Sequence, residues 1–138
     1  MEEMGAEQAK SLGERAFRLR MMGSLREARG LYLRSLEIWR GLGEQRAIAE
    51  SLQKLGEIAM DLQWGEEAES SLRESAALWQ ALGEWNNCSE CLWKLGRMAR
   101  GQGRYADAED LQQRRGRYRE WSRQQWEESM RRRGTGEG

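Results

Sequence analysis

The fold is decided by the segment LQKLGEIA at residues 52–59, which recurs forty residues later as LWKLGRMA at residues 92–99. A second segment behaves in the same way, because SLEIWRGLGE at residues 35–44 returns as SAALWQALGE at residues 75–84. Self-similarity at a fixed period of this length is the sequence signature of a repeat protein. The shared offset divides the chain into three repeats, at about residues 4–43, 44–83 and 84–123.

Each repeat is predicted to contain two helices. Apolar residues from Ile48 to Leu62 recur at steps of three and four, which places them along one face of a helix. Glycines stand where this spacing stops, at Gly23, Gly43, Gly65, Gly83, Gly101 and Gly103. We therefore expect helices at residues 4–22, 25–42, 45–63, 66–82, 85–101 and 105–130. Residues 1–133 are expected to form a single domain, and residues 131–138 a disordered tail.

These repeats resemble the tetratricopeptide repeat, whose pattern is Trp-x2-Leu-Gly-x2-Tyr, then Ala-x3-Phe, then Pro. The second repeat offers Leu52-x2-Leu55-Gly56-x2-Ala59 and Ala68-x3-Leu72, and the third offers the same residue types at 92–99 with Ala108. The length of forty residues is similar to the long repeats of kinesin light chains, Pins/LGN-type adaptors and bacterial regulators. The resemblance implies an all-α solenoid of three helix-turn-helix repeats.

Two glycines at equivalent places, Gly56 and Gly96, follow a leucine on the apolar face of the first helix of their repeats. We predict that both lie where the paired helices approach closely, with Ala68 and Ala108 on the second helices. A larger side chain at either glycine would then overpack the core.

The composition argues against a β-sheet protein, an enzyme and a metal site. The sequence has no His and no Pro, and its only β-branched residues are three Ile and one Thr. Without His, the commonest general base and metal ligand are missing, so we predict no catalytic residue, no metal and no cofactor. No apolar run is long enough to span a membrane, and Met1 precedes two glutamates instead of the basic start of a signal peptide. A cytoplasmic protein without membrane contact is expected.

Cys88 and Cys91 have the spacing of zinc and redox sites, but the chain has no second cysteine pair and no histidine. Their equivalents forty residues earlier are Ile48 and Ser51, an apolar and a small residue. We therefore predict two buried structural thiols.

The repeat also sorts the tryptophans. Trp39 and Trp79 are equivalent to each other and are predicted to pack in the core. Trp64, Trp85 and Trp93 have polar equivalents in other repeats, so the fold does not require an aromatic residue there. Each is a candidate for contact with a partner, the alternative being incidental surface.

Residues 111–133 are strongly basic, with eight Arg and three Glu. We interpret this last helix as an extended cap that closes the array, because Leu111, Tyr118 and Trp121 share one face suited to packing. Arginines interleaved with aromatic rings also suit nucleic acid, which would be bound through Arg114–Arg123. A RNA- or DNA-associated adaptor is therefore one alternative function, and self-assembly into a homo-oligomer through the open ends of the array is another.

The predicted function is that of a protein–protein interaction module or adaptor. The family resemblance implies a superhelix whose concave groove is formed by the first helix of each repeat. On those helices a second stripe faces the groove and mixes both charges with three large apolar side chains, so we expect a peptide or partner segment with an apolar anchor and acidic groups. The stripe comprises Lys10, Gly13, Phe17, Arg20, Glu50, Gln53, Glu57, Met60, Glu90, Trp93, Arg97 and Arg100.

Overall fold

The structure, a computed structural model, describes residues 2–136. These residues form six α-helices and no strand: α1 (Glu2–Met21), α2 (Leu25–Leu42), α3 (Gln45–Asp61), α4 (Gly65–Ala81), α5 (Trp85–Gly101) and α6 (Tyr105–Gly134). The predicted all-α fold is confirmed. The first five helices begin and end within two residues of the positions expected from the sequence.

The helices are arranged as three stacked hairpins. Each odd-numbered helix packs against the even-numbered helix that follows it, and α2–α3 and α4–α5 contacts join the hairpins. Arg20 of α1 and Lys94 of α5 both bind Glu57 of α3, whereas Arg29 of α2 binds Glu67 of α4. The odd helices therefore lie side by side in one layer and the even helices in the other, as in a solenoid.

All five turns between helices share one hydrogen-bond pattern. In the first, the Ser24 N–H donates to the Leu19 carbonyl at 2.8 Å and the Gly23 N–H to the Arg20 carbonyl at 3.0 Å, which is a Schellman motif. A glycine holds the left-handed position in four of these turns, but in the third turn, between α3 and α4, the residue at this position is Gln63, with φ +62°. The sequence placed the break at Gly65. That prediction is wrong, because the repeat sets the left-handed position and Gly65 begins α4.

The core consists of two clusters of buried side chains. One surrounds Leu52 and the other surrounds Leu92, and Leu78 packs against both. Cys88 and Cys91 lie in the second cluster with 1% and 0% of their surface exposed. The prediction of buried thiols is confirmed.

Gly56 and Gly96 differ, although the sequence treats them alike. A Cβ atom on Gly56 would lie 2.7 Å from Cγ of Leu72, so the predicted close contact is confirmed there. On Gly96 the Cβ atom would lie 3.9 Å from Cβ of Leu111, an ordinary contact distance, so the prediction of a close approach is wrong. The cause is in the sequence of α6, where the exposed Gln112 replaces the buried Leu72 of the second repeat.

Helix α6 continues to Gly134 instead of ending near residue 130. Ion pairs at helical spacing, Arg123 with Glu127 and Arg132 with Glu128, support this extension, and arginines in the last turn interact favourably with the helix dipole. The structure therefore assigns residues 131–134 of the expected tail to α6. Residues 137–138 of the expected tail lie outside the described residues.

The first half of α6 packs as the cap interpretation predicts. Leu111 and Tyr118 are buried, and Trp85 stacks on Tyr118 with ring centroids 5.4 Å apart. Trp121 completes this aromatic cluster, 5.0 Å from Trp85. Trp85 is thus a packing residue and not incidental surface. In the part of the chain that the structure describes, no helix has the length and mean hydropathy of a membrane span.

Candidate functional site

The layer of odd helices, α1, α3 and α5, carries all the predicted site residues and is called the odd-helix face below. Its centre is occupied by an ion network around Glu57. Arg20 Nη1 lies 3.0 Å from Glu57 Oε2, Lys94 Nζ donates a hydrogen bond to Oε1, and Lys54 Nζ lies 4.0 Å away. Burial opposes ionisation of Glu57, but the Lys94 hydrogen bond and the surrounding positive charges outweigh it. The pKa of Glu57 is therefore lowered, and this carboxylate ties three helices together.

Three further stripe residues, Gln53, Glu90 and Met60, make contacts in the same central region. The Gln53 carbonyl oxygen accepts a hydrogen bond from Nε1 of the buried Trp79 at 3.0 Å, and its amide nitrogen donates to Glu90 at 3.4 Å. Met60 is half-buried and packs against the core cluster around Leu92. The centre of the odd-helix face is thus held by contacts within the protein.

An open cavity of about 530 Å³ lies between α1 and α3, with α2 as its floor. It brings together three of the predicted site residues, Lys10, Phe17 and Glu50, and Phe17 is 48% exposed. Its other lining residues are Ala9, Gly13, Glu14, Arg18, Tyr32, Ser35, Trp39, Ala47, Ser51 and Lys54. We call it the aromatic cavity, because Phe17, Tyr32 and Trp39 all border it.

The aromatic cavity exists because the first two repeats differ at one position. Gln53 covers the indole of Trp79 in the second repeat. Forty residues earlier, Gly13 stands opposite Trp39 and has no side chain to cover it. Trp39 therefore packs on the core with one side of its ring and borders the cavity with the other. Its equivalent Trp79, in contrast, is only 1% exposed.

At the other end of the odd-helix face, Trp93 is 44% exposed and Arg97 lies over its ring, 4.9 Å from the centroid. Both residues border a smaller cavity of about 130 Å³ between α5 and α6, together with Arg100 and Arg115. Its remaining lining residues are Leu92, Gly96, Ala108 and Gln112. We call it the arginine cavity.

The sequence stripe therefore divides into three parts. The structure brings Lys10, Gly13, Phe17 and Glu50 together at the aromatic cavity, and it brings Trp93, Arg97 and Arg100 together at the arginine cavity. The residues between them contact one another or the core: Arg20, Gln53, Glu57, Met60 and Glu90.

Sequence reasoning missed the cavity residues contributed by the even helices. Tyr32 and Trp39 border the aromatic cavity from α2, and Gln112 and Arg115 border the arginine cavity from α6. The available signal was the loss of repeat identity at single positions, such as Gly13 against a glutamine and Arg115 against two buried serines. That signal marks a cavity only once the packing partner of each position is known.

The thiols offer no reactive group to this face. Burial raises the pKa of Cys88 and of Cys91 to about 11, so both remain protonated near neutral pH. Cys88 Sγ donates to the Ala76 carbonyl at 3.4 Å, and Cys91 Sγ contacts Ser75 Oγ at 3.7 Å. These contacts fit packing and not redox chemistry.

On the basic end of α6, some aromatic and charged side chains are engaged in contacts within the protein and others are exposed. Tyr118 stacks on Trp85, Trp121 packs edge-to-face against Trp85, and Arg123 pairs with Glu120 and Glu127. Trp126 is 63% exposed. A nucleic acid would thus find fewer free rings than the composition of this helix suggests.

Comparisons with known proteins agree with this architecture. A family model described as tetratricopeptide repeat matches residues 47–115, half of the chain. Among solved structures, the crystal structure of BtubC (BKLC) from P. vanneervenii superposes with a TM-score of 0.74 at 21% sequence identity. The match covers 80% of this chain and 46% of that one, so the chain spans about half the length of the known structure. A search of curated proteins found no significant match.

Proposed function

Because the chain belongs to the tetratricopeptide-repeat family, we propose that it is a non-enzymatic adaptor that binds a peptide or partner segment along its odd-helix face. Repeats of this family generally mediate protein–protein interaction. The groove site on this chain is our proposal, as is its use of an apolar anchor.

The aromatic cavity is the observation that carries the proposal. It has about 530 Å³ of space beside three aromatic rings, and binding sites typically combine an apolar lining with a few polar groups. Lys10, Lys54 and Glu50 also line the cavity, so a ligand can be oriented by charge as well as by burial. An aromatic or large aliphatic side chain of a partner fits this cavity.

Trp93 supplies a second contact point at the far end of the same face. An exposed tryptophan beside an arginine can bury apolar area and pair with an acid, and Trp and Arg dominate interface hot spots. A segment that lies across α1, α3 and α5 would reach both ends. This supports the expected ligand, a peptide with an apolar anchor and acidic groups.

The experiment is a selection of binding peptides from a random library displayed on phage, followed by affinity measurements with variant chains. Gly13→Gln should fill the aromatic cavity by giving Trp39 the amide cover that Gln53 gives Trp79. We expect it to weaken the selected peptide at least about tenfold, or about 1.4 kcal/mol. Gly30→Gln is the matched control, because Gly30 is exposed on α2 with nothing within 4 Å of its Cβ position.

Trp93→Ala should cost about 2 kcal/mol of affinity for a segment that reaches the third repeat, and Ser24→Ala in the first turn should cost nothing. Arg97→Glu should weaken binding further and remove much of its dependence on salt. Selected peptides that bind Gly13→Gln and Trp93→Ala chains as tightly as the unchanged chain would overturn the groove proposal.

Nucleic-acid binding through α6 is the second candidate, supported by Arg114, Arg117 and Arg119, none of which lies within 4.0 Å of a carboxylate oxygen among residues 5–136. Salt separates the two functions, because phosphate contacts lose affinity steeply as the salt concentration rises while an aromatic anchor does not.

Two other expectations stay predictions: self-association through the ends of the array, and a cytoplasmic location.

A further inference from the structure

We infer that the arginine cavity between α5 and α6 is a binding site for the carboxylate of an acidic side chain supplied by the partner segment. The inference rests on the proposed function and adds, from α6, residues that the sequence stripe does not contain. Its essential new residues are Arg115 and Gln112.

The cavity results from two substitutions in the third repeat. Tyr32 and Leu72 are buried at equivalent positions of the first two repeats, whereas Gln112 is exposed at this position of α6. Gly96 is nevertheless retained on α5, so neither helix fills the space between them. About 130 Å³ remains open where Leu72 packs onto Gly56 in the second repeat.

The second substitution charges the cavity. Ser35 and Ser75 are buried and donate hydrogen bonds to the carbonyls of Ala9 and Ala49, each at 2.8 Å. The third repeat has Arg115 at this position. Its Nε atom is buried without a hydrogen-bond partner in the part of the chain that the structure describes. A buried donor without a partner costs free energy that a bound acceptor would recover.

The charge around the cavity is of one sign. Arg97, Arg100 and Arg115 border it and no acidic residue does. Among residues 5–136, none of these three guanidinium groups lies within 4.0 Å of a carboxylate oxygen, and Arg100 Nη2 donates a hydrogen bond to the Gln112 side-chain oxygen at 3.5 Å. Elsewhere in the protein, partly buried cations such as Arg20 and Lys94 share a glutamate. The missing counter-charge identifies the occupant as an anion.

Size and shape favour an acidic side chain. A volume of about 130 Å³ holds roughly four water-sized groups at about 30 Å³ each, which suits a carboxylate and its methylene stem. Guanidinium groups bind carboxylates through two parallel hydrogen bonds. The ring of Trp93 and the side chain of Leu92 offer apolar surface for the stem. A nucleotide could place no more than a phosphate here.

The test uses the whole chain and two C-amidated peptides, one of alternating Leu and Glu and a twin in which every Glu is Gln. NMR signals of the arginine Nε–Hε groups report binding at each guanidinium. We expect the Glu peptide to shift the signals of Arg97, Arg100 and Arg115 saturably, and the Gln twin to leave them unchanged. Inorganic phosphate, titrated separately, is expected to shift them less at equal concentration.

Two variants separate the cavity from general attraction to positive charge. Gln112→Leu keeps all three arginines but fills the space as Leu72 does, and it should abolish the shifts. Arg115→Gln should weaken the Glu peptide at least about tenfold, whereas Arg117→Gln, an equal loss of charge at an exposed position of α6, should change its affinity less than about twofold.

Undiminished binding to the Gln112→Leu chain, equal losses in the Arg115→Gln and Arg117→Gln chains, or saturation by phosphate but not by the Glu peptide would each overturn the carboxylate site. The proposed function fails separately. If selected peptides respond to Gly13→Gln but never to Arg115→Gln, the groove stands and this inference is wrong.

Discussion

Replacing Gly56 by Ala is expected to destabilise the protein, whereas the same replacement of Gly96 is expected to stabilise it. The Cβ atom on Gly56 would lie 2.7 Å from Cγ and 2.9 Å from Cδ2 of Leu72. Leu72 is fully buried, so its branch point cannot move aside without shifting neighbours. On Gly96 the nearest atoms would be 3.9 Å away, which leaves room for a methyl group.

The magnitudes follow from two opposing effects. Overpacking a core by one methyl group costs about 1–3 kcal/mol, and replacing Gly by Ala inside a helix gains about 1 kcal/mol. Gly96→Ala should therefore raise the free energy of unfolding by about 1 kcal/mol. The Gly56→Ala chain should be less stable than the Gly96→Ala chain by about 1–3 kcal/mol, because both variants share the helix gain and only Gly56→Ala overpacks the core. At roughly 4 °C per kcal/mol, their Tm values should differ by about 4–12 °C.

The assay is urea denaturation followed by circular dichroism at 222 nm, with the free energy of unfolding taken from the midpoint and slope. A Leu72→Ala background provides an internal check, because Gly56→Ala should become stabilising once Leu72 no longer fills the space. Equal stabilisation by Gly56→Ala and Gly96→Ala would refute the packing difference between the repeats.

Three other predictions concern the turn, the ion network and the thiols. Gln63→Gly should raise the free energy of unfolding by about 0.5–1 kcal/mol, because the backbone of Gln63 is left-handed. Gly23→Gln, the reverse change in another turn, should lower it. A lower free energy of unfolding for the Gln63→Gly chain in urea denaturation would contradict the reasoning. Glu57→Gln should cost about 1–3 kcal/mol at pH 7. Since the folded pKa of Glu57 is lowered, this cost is present above its ordinary value of 4.5 and is lost as the pH falls through the lower folded value, so a cost independent of pH would count against the network. Cys88 and Cys91, with pKa values of about 11, should react with a disulfide reagent only as fast as the protein unfolds, and rapid labelling in native buffer would show that they are not sealed.

The repeat made most of the fold predictable. An offset of forty residues assigned the six helices, and the polar or apolar identity of equivalents placed Trp79 and Cys88 in the core, as the structure confirms. Gln63 was missed because a glycine two residues away matched the expected turn residue better. Trp85 was missed because its partner Tyr118 lies on another helix, and no repeat equivalence relates the two.

The candidate site was less predictable because its properties depend on contacts between residues of different helices. The sequence identifies the side chains that share a stripe on one helix, such as Glu57, but not the cations from α1 and α5 that bind it. Both cavities arise where a packing side chain is lost, because Gly13 has none and Gln112 is exposed where Leu72 is buried. An absence of this kind becomes visible only when the second helix of the hairpin is in place.

The most direct test is the NMR footprint of a selected peptide on the isotopically labelled chain. If the odd-helix face binds partners, the perturbed signals belong to α1, α3 and α5 and include Phe17 and Trp93. Perturbations confined to α6 beyond Arg117, with Phe17 and Trp93 unchanged, would contradict the groove and move the binding site to the basic end of the last helix.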